Sequence, residues 1–306
     1  MLDEYIHGSV ERISPEAPVP IVKLTTREHR LGGAANVALN LVSLGVKTQL
    51  GCLLGKDEAG LKLEKLLLQN GIDNSGLFFV ENRPTTIKTR VISSGHQLLR
   101  IDNETEEALS AELQQSFENH LMKLLQSSKP NLVIFEDYDK ACLSLSLITK
   151  VIEYCKQNTI PVSVDPKYKN FKFYSGCSLF KPNFKELVEA SDLSGLPKNS
   201  SSVEACLEKL HPILNAENYL ITLSEKGVYY KNTYHQGTIP AHLRSITDVS
   251  GAGDSVIAVA SCALALGFNL EFIASISNLA GGLVCEEVGV VPIQKEKLKM
   301  ECLSSI

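Results

Sequence analysis

The segment DVSGAGDS, residues 248–255, contains residue types that could carry out phosphoryl transfer. Small residues occupy positions 251–253 directly before the carboxylate of Asp254, and an apolar run from Val256 to Leu266 follows. This run predicts a buried helix, and small residues at its start leave backbone N–H groups uncovered, where the helix dipole favours an anion. A carboxylate would repel a bound phosphate unless it accepts a proton from the group that attacks it. The pattern therefore indicates transfer of a phosphoryl group to a hydroxyl, with Asp254 as the general base.

Helix capping is the alternative role for Asp254, because an aspartate at a helix start commonly stabilises the helix by about 0.5–2 kcal/mol. The neighbouring residues Thr247, Asp248 and Ser250 already offer oxygens for that purpose. The carboxylate of Asp254 is surplus to capping, which favours the catalytic interpretation.

Two further groups of residues favour a sugar phosphate as the acceptor. In LGGAANVALN, Gly32 and Gly33 precede a helix on which Asn36 and Asn40, one turn apart, could hydrogen-bond to hydroxyls. Fixed cations that could bind a phosphate occur in two β-branched segments, together with one glutamine: Arg30, Lys88, Arg90, His96, Gln97 and Arg100. The alternatives are a tight strand-to-helix turn for the glycines and a solvated β-ribbon for the charges.

The elements that position these residues follow from the hydrophobic pattern. Short apolar runs alternate with amphipathic segments, which predicts a mostly parallel sheet with helices on both faces. The predicted strands lie within 48–55, 76–81, 131–137, 161–166, 178–183 and 218–224, and the predicted helices cover 58–69, 144–157 and 203–214, before two C-terminal helices. Segments at about 14–31 and 84–102 predict short antiparallel strands outside the main sheet, which we call the lid.

Polar residues recur where the predicted strands end, at the edge where parallel sheets bind ligands. Asn183 and Glu186 are three residues apart at a helix start, so they could form an ordinary capping box or hold a hydrated Mg²⁺. Each other position could be a plain turn, but their clustering at one edge favours a binding role. These positions are Asp137, Tyr138, Lys140, Asp165, Lys167, Thr222, Ser224 and Gly227.

The composition favours a protein that acts on small molecules. The 306 residues suffice for a full α/β core, and a formal net charge of −5 without a basic block argues against nucleic-acid binding. There is no long apolar run, and the segment MLDEYIHGSVERIS is too polar for a secretory signal. Eight cysteines without a CxxC pair indicate reduced thiols. We expect a cytoplasmic protein that does not interact with membranes or nucleic acid.

The motifs together resemble those of the PfkB or ribokinase-like carbohydrate kinases over nearly the whole chain. The segments GGAANVALNLVSLG, QLLRID, DYDKA, VDPK and KPNFKEL are similar to those of members that phosphorylate D-glycero-β-D-manno-heptose 7-phosphate at O1, on the route to ADP-heptose for lipopolysaccharide. The resemblance implies an α/β fold, a ribokinase-like three-layer α/β/α sandwich with a mostly parallel central sheet plus a small β lid. It also implies a single kinase domain over residues 1–306 without a nucleotidyltransferase domain, ATP and Mg²⁺ as cofactors, and a homodimer formed through the lid strands.

The resemblance further implies roles for individual residues. Asp254 would be the base, and Gly251, Ala252 and Gly253 would form the anion hole. The sugar phosphate would contact Asp3, Gly32, Gly33, Asn36, Lys88, Arg90, Gln97, Arg100, Asp137 and Lys140. The nucleotide would lie near Asp165, Lys167, Asn183, Thr222, Ser224, Gly227 and Asn278, with Asn183 and Glu186 holding Mg²⁺ through water.

One departure from the family concerns the first strand. Relatives begin with an apolar strand ending in Gly-Asp before the position of Met1, so we expect a central strand to be missing, through a late start-site assignment or in an unstable product. Each buried backbone group left unpaired costs about 1–3 kcal/mol. Two alternatives to a heptose kinase stay open: a related kinase for another sugar or a nucleoside, and a truncated, non-catalytic protein that binds a sugar or nucleotide.

Overall fold

The computed structural model describes residues 1–242, 244 and 246–305. Its strands are β1 (Leu2–Ile13), β2 (Pro20–Leu31), β3 (Cys52–Gly55), β4 (Leu77–Val80), β5 (Ile87–Ser93), β6 (His96–Asn103), β7 (Val133–Glu136), β8 (Val162–Asp165), β9 (Leu179–Phe180), β10 (Asn218–Thr222), β11 (Val228–Lys231) and β12 (Gln236–Ile239). Its helices are α1 (Ala34–Ser43), α2 (Glu58–Gln69), α3 (Ala111–Ser128), α4 (Leu145–Gln157), α5 (Phe184–Ala190), α6 (Ser200–Leu214), α7 (Ala252–Ala265), α8 (Leu270–Val284) and α9 (Lys295–Ser305).

The main sheet has the strand order β12-β11-β10-β9-β8-β7. Strands β7 to β10 are parallel, and β11 and β12 extend the sheet in antiparallel pairing. Side chains alternate between the two faces: Phe135 and Val164 pack in a core with α4 and α6, whereas Leu220 and Val228 pack against α7 and α8. This three-layer arrangement confirms the predicted α/β/α fold and brings the carboxyl ends of the parallel strands to one edge.

The remaining part of the predicted central sheet is separate. Strands β3 and β4 form a parallel pair of their own, and the main sheet ends at β7. Among the described residues, no strand joins β7 to the pair β3–β4, so the central sheet has a gap there. Apolar contact spans it, because Leu53 and Phe78 pack against the same core cluster that contains Phe135.

The lid is a four-stranded sheet with the order β2-β1-β5-β6. The antiparallel pairing predicted within residues 84–102 is found between β5 and β6. Residues 14–31 contain a single strand, β2, whose antiparallel partner is β1. The prediction missed β1 as a strand, and it missed the parallel pairing of β1 with β5 that joins the hairpins. At the base of the lid, Leu2 and Leu31 are buried in a core with residues of α1 and α2, which fixes the lid to the body.

The C-terminal region contains one more helix than the sequence pattern predicts. Helix α9 follows α7 and α8, and its Leu298 and Cys302 pack against them. Its charged composition, KEKLKMECLSS, gives it only a weak apolar face, which explains why the pattern did not indicate it. Among the described residues, no helix combines the length and the apolar character needed to cross a bilayer.

Candidate active site

The amino ends of α1 and α7 meet, and each helix begins after a glycine with a positive φ. Gly33 has φ 57° and Gly251 has φ 81°, a region that glycine enters without steric cost. A Cβ atom on Gly251 would lie 3.0 Å from Nδ2 of Asn36. Glycine at this position therefore permits the close approach of α1 to α7.

The carboxylate of Asp254 is held from two sides at this junction. Nδ2 of Asn36 donates to Oδ2 at 2.6 Å, and the hydroxyl of Tyr138 donates to Oδ1 at 3.2 Å. Each oxygen keeps a free lone pair, because a carboxylate can accept about four hydrogen bonds. The side chain is fixed in orientation and can still accept a proton.

The electrostatic surroundings adjust the basicity of Asp254. Burial raises its pKa, the hydrogen bond from Asn36 lowers it, and the neighbouring charge of Asp165 raises it again, giving a value of about 6. A base of this strength is mostly ionised at neutral pH and is well suited to proton transfer. Burial and the negative charge of Asp254 raise the pKa of Tyr138 well above its usual range, which keeps its hydroxyl protonated as a donor.

Asn40 supports this arrangement from one turn further along α1. Its Oδ1 accepts hydrogen bonds from Oγ of Ser255 and from the backbone N–H of Ile293, both at 2.9 Å. Its Nδ2 donates to the carbonyl of Asn36 at 2.9 Å. Asn40 thus fixes α1 against α7, and the amide of Asn36 supports Asp254.

A buried ammonium lies beside the predicted anion hole. Nζ of Lys181 is 2.8 Å from Oδ2 of Asp165, and it lies 3.9 Å from the position that a Cβ on Gly253 would take. Burial lowers the pKa of Lys181, but the carboxylate of Asp165 outweighs that effect and raises it overall, so the amine stays charged. We did not predict Lys181 from the sequence, although its place two residues before Asn183 at a strand end was a usable signal.

The proposed magnesium ligands form a capping box at the start of α5. Oδ1 of Asn183 accepts from the backbone N–H of Glu186, and Oε2 of Glu186 accepts from the backbone N–H of Asn183, both at 2.9 Å. Oε1 of Glu186 forms an ion pair with Lys167. No group of three acidic, histidine or cysteine side chains within the described residues could hold a metal directly. These oxygens therefore fit Mg²⁺ only through its water ligands, as Mg²⁺ commonly retains several.

Asp3 lies next to the diglycine turn on the opposite side of the site. Its carboxylate is buried, and Arg90 Nη1 lies 2.9 Å from Oδ1 as an ion pair. A Cβ on Gly32 would be 2.7 Å from Oδ2 of Asp3, so only glycine leaves room there. The ion pair with Arg90 therefore fixes the carboxylate of Asp3 beside the diglycine turn.

Three of the other cations predicted to bind a phosphate are paired with acids. Lys88 lies 3.1 Å from Asp102, and Arg100 lies 2.9 Å from the same carboxylate. Lys140 lies 2.8 Å from Glu104. The sequence reasoning did not anticipate these acidic partners. Gln97 is exposed at the start of β6, beside the hairpin turn.

Asp137, which the sequence reasoning assigned to substrate binding, has its hydrogen-bond partners within the protein. Its carboxylate is buried and accepts hydrogen bonds from the hydroxyl of Tyr174 at 2.7 Å, from Nδ2 of Asn170 at 2.9 Å and from the backbone N–H of Asp139 at 2.9 Å. These bonds fix the loop after β7. The neighbouring Tyr138, which the sequence pattern grouped with Asp137 at the same strand end without a more specific role, is the residue of this loop that contacts Asp254.

The residues predicted to bind the nucleotide lie further along the same sheet edge. Asn183 and Thr222 form an isolated parallel bridge, and Ser224 begins a 3₁₀ turn that ends before Gly227. A Cβ on Gly227 would lie 2.0 Å from the carbonyl oxygen of Ile239, so backbone packing alone explains this glycine. Nδ2 of Asn278 donates to the carbonyl of Pro240 at 2.8 Å. Their contacts with a nucleotide remain predictions.

Known proteins match this chain over nearly its whole length. Residues 5–297 match the pfkB family carbohydrate kinases. The Bifunctional protein HldE of Methylobacillus flagellatus is 38% identical over 304 residues, which cover 99% of this chain and 62% of that protein. The protein of the same name from Desulfatibacillum aliphaticivorans is also 38% identical over 304 residues, with 98% and 61% covered. The chain thus spans about three-fifths of the length of these curated relatives.

Solved structures share the fold at low sequence identity. Phosphofructokinase-2 from Escherichia coli in complex with fructose-6-phosphate has a TM-score of 0.78 at 18% identity, covering 99% of this chain and 95% of that chain. The ribokinase of Arabidopsis thaliana complexed with ribose and ATP has a TM-score of 0.72 at 18% identity, with 98% and 95% covered. Since the family match extends over nearly the whole chain, this protein belongs to the pfkB family of carbohydrate kinases.

Proposed function

We propose that this protein, acting as one kinase unit, transfers the γ-phosphoryl group of ATP to O1 of D-glycero-β-D-manno-heptose 7-phosphate. The product would be the 1,7-bisphosphate, a precursor of ADP-heptose for the lipopolysaccharide core. The observation that carries the proposal is the carboxylate of Asp254, held by two donors at the amino end of α7 and given a pKa of about 6. The choice of heptose rests on the motif similarity described above, from GGAANVALNLVSLG to KPNFKEL.

In the proposed reaction the O1 hydroxyl attacks the γ-phosphorus while its proton moves to Asp254. The new O–P bond forms as the bond between phosphorus and the ADP oxygen breaks, and ADP leaves with that electron pair. Backbone N–H groups at Gly251, Ala252 and Gly253 and the ammonium of Lys181 would stabilise the charge on the transferring group. Mg²⁺, held through water by Asn183 and Glu186, would neutralise charge on the phosphates of ATP.

The sugar would be oriented between the diglycine turn and the lid. The carboxylate of Asp3, oriented by Arg90, and the backbone of Gly32 and Gly33 suit hydroxyl groups, and Lys88 and Lys140 suit the phosphate. Asn36 would act on the sugar indirectly, because its amide already donates to Asp254.

The proposal is tested by ADP release with ATP and heptose 7-phosphate. We expect Asp254→Asn to lower kcat by about 10²–10⁴-fold, as for loss of a general base, with ATP binding near normal. Asp192→Asn is a matched control, because that side chain is 77% exposed in its ion pair with Lys172. Wild-type turnover of Asp254→Asn would refute the role of the base. A panel of other sugars and nucleosides, and free heptose, would reveal a different acceptor.

We also propose that the protein is a cytoplasmic homodimer joined through the lid strands. The lid exposes large apolar side chains, among them Ile13, Leu24, Leu99 and Ile101, each more than half exposed in the single chain. All eight cysteines are free thiols, which suits a reducing compartment. Sedimentation of the wild type and of Ile101→Glu tests the dimer. A monomeric wild type, or a variant as dimeric as the wild type, would contradict this interface.

A further inference from the structure

Glu104 bridges two of the cations assigned to the substrate phosphate. Its Oε1 lies 2.8 Å from Nζ of Lys140, in the loop after β7, and its Oε2 lies 3.5 Å from Nζ of Lys88, on β5. The three side chains are between 17% and 22% exposed, so they are largely screened from water but still accessible. One carboxylate thus joins the lid to the body of the protein.

The backbone around this bridge is held independently of Glu104. Nη1 of Arg83 donates to the carbonyl of Glu107 at 2.9 Å, and Nη2 donates to the carbonyl of Lys140 at 2.8 Å. Arg83 therefore holds the segment after β6 beside the loop after β7 through hydrogen bonds to main-chain carbonyl groups. The carboxylate of Glu104 can leave the two ammonium groups while both segments keep their positions.

The charge of the surrounding cluster suits an incoming phosphate. The cluster consists of four cations and three carboxylates, connected by ion pairs: Lys88, Arg100, Lys140 and Lys169 with Asp102, Glu104 and Glu106. With the carboxylate of Glu104 in place, the cluster has a net charge of +1. With that carboxylate turned away, the net charge of the remaining groups is +2. A phosphate monoester carries a charge of about −1.5 to −2 at neutral pH. Exchange of the carboxylate for the phosphate would leave the cluster nearly neutral.

The bridge also lies between the two halves of the candidate site. Lys88 is paired with Asp3 in the register of β5 and β1, and Asp3 lies beside the diglycine turn. Lys140 is two residues from Tyr138, whose hydroxyl contacts Asp254. A sugar that reaches from Asp254 along Asp3 would direct its distal substituent towards Lys88 and Lys140.

We propose that Glu104 is a specificity-determining residue that occupies, between Lys88 and Lys140, the place that the phosphate of the sugar phosphate takes on binding. The inference rests on the proposed function for the identity of the substrate. A phosphate dianion can replace the carboxylate between two ammonium groups, because it offers more charge and more acceptor oxygens. A neutral hydroxyl cannot replace the carboxylate in this way. In the presence of a sugar without the phosphate, Glu104 would therefore stay paired with both lysines.

Substitution of Glu104 with glutamine tests the exchange. In Glu104→Gln the phosphate no longer competes with a carboxylate, and we expect the dissociation constant of inorganic phosphate, measured by calorimetry on the full chain, to fall about fivefold. The KM for the sugar phosphate should fall by a similar factor. In Glu104→Gln/Lys140→Met the gain should disappear.

Glu106→Gln is the matched control. Glu106 also contacts Lys140, at 3.1 Å, but it is 53% exposed and also pairs with Lys169 at the rim. We expect less than about a twofold change, since an exposed ion pair contributes little. An equal gain in both single variants would overturn the proposal, because it would indicate general charge removal. Unchanged or weaker phosphate binding in Glu104→Gln would also overturn it, because Glu104 would then only hold the lysines in place.

The two proposals can fail separately. Phosphate binding is measured without ATP and without turnover, so it reports on Glu104 alone. Tighter phosphate binding in Glu104→Gln, together with no phosphorylation of any sugar phosphate, would support the exchange and refute the proposed function.

Discussion

Replacement of Tyr138 with phenylalanine removes the hydroxyl that donates a hydrogen bond to the candidate base, Asp254, and keeps the aromatic ring. The ring packs against the diglycine turn, where a Cβ on Gly33 would lie 3.1 Å from Cε2 of Tyr138, and phenylalanine keeps that contact. The lost interaction is the hydrogen bond to Oδ1 of Asp254 at 3.2 Å. This bond favours the ionised carboxylate and lowers the pKa of Asp254.

The expected effect is a shift of the acidic limb of the pH profile to higher pH. A hydrogen bond to a charged group contributes about 1.5–3 kcal/mol, and we take about 1 kcal/mol because the distance is long. That free energy corresponds to about 0.7 of a pH unit. The acidic limb of kcat/KM, expected near the pKa of about 6 for Asp254 in the free enzyme, should therefore approach pH 7.

The measurement is kcat/KM for the sugar phosphate between about pH 5 and 9, at saturating ATP. Tyr234→Phe is the control, because Tyr234 is 85% exposed and its loss of a hydroxyl should leave the limb in place. A limb in Tyr138→Phe that stays at its wild-type position, or moves to lower pH, would refute the assignment of Tyr138 as a donor to an ionised Asp254. Uniform loss of rate at every pH would point to lost packing instead.

Three further predictions concern stability and helix geometry. The pKa of Asp254 is raised to about 6, so its stabilising contribution is greatest at acidic pH and is lost as pH rises through that value. Asp254→Asn should therefore raise the free energy of unfolding at pH 8 by about 3 kcal/mol, and an equal or lower value in chemical denaturation would contradict this. Burial raises the pKa of Glu118, but Lys150 at 2.6 Å and two serine hydroxyls outweigh burial and lower that pKa overall. Glu118→Gln should therefore lower the free energy of unfolding by about 1–3 kcal/mol near neutrality and by progressively less below about pH 4. A loss of stability that does not depend on pH would be inconsistent with an ionised Glu118. Gly251→Ala and Gly267→Ala both place alanine at positive φ, and each should lower the free energy of unfolding by about 1–2 kcal/mol. Only Gly251→Ala crowds Asn36, so only this variant should lower kcat, by about tenfold or more. Equal values of kcat in the two variants would contradict the role of this contact.

Local patterns predicted the parts of the site that lie within one segment. The glycines before Asp254 and the apolar run after it specify a helix start through neighbouring residues alone, and the structure has that start at Ala252. The partner of Asn36 was beyond such reasoning, because Asp254 lies 218 residues away along the chain. The helical spacing showed which face Asn36 occupies, and only the packing of α1 on α7 showed what that face meets.

In the lid, local sequence patterns likewise did not predict which charges form ion pairs or which strands pair with each other. The density of cations on β5 and β6 was visible in the sequence, but their neutralisation by Asp102 and Glu104 depends on strand register and on the path of the chain after β6. The parallel pairing of β1 with β5 joins segments about 85 residues apart, and alternating residue types do not specify such a partner.

The net charge around Asp254 depends on the protonation of one further carboxyl group, that of Glu136. Burial and the nearby carboxylates of Asp165 and Asp254 raise the pKa of Glu136 well above its usual range, which favours its neutral form. Its register partner on β8 is Asp165, which is paired with Lys181. If Glu136 were ionised, its charge would raise the pKa of Asp254 further and would oppose the approach of a phosphate. In its neutral form Glu136 adds no negative charge beside the proposed position of the phosphoryl group, and it does not raise the pKa of Asp254 further.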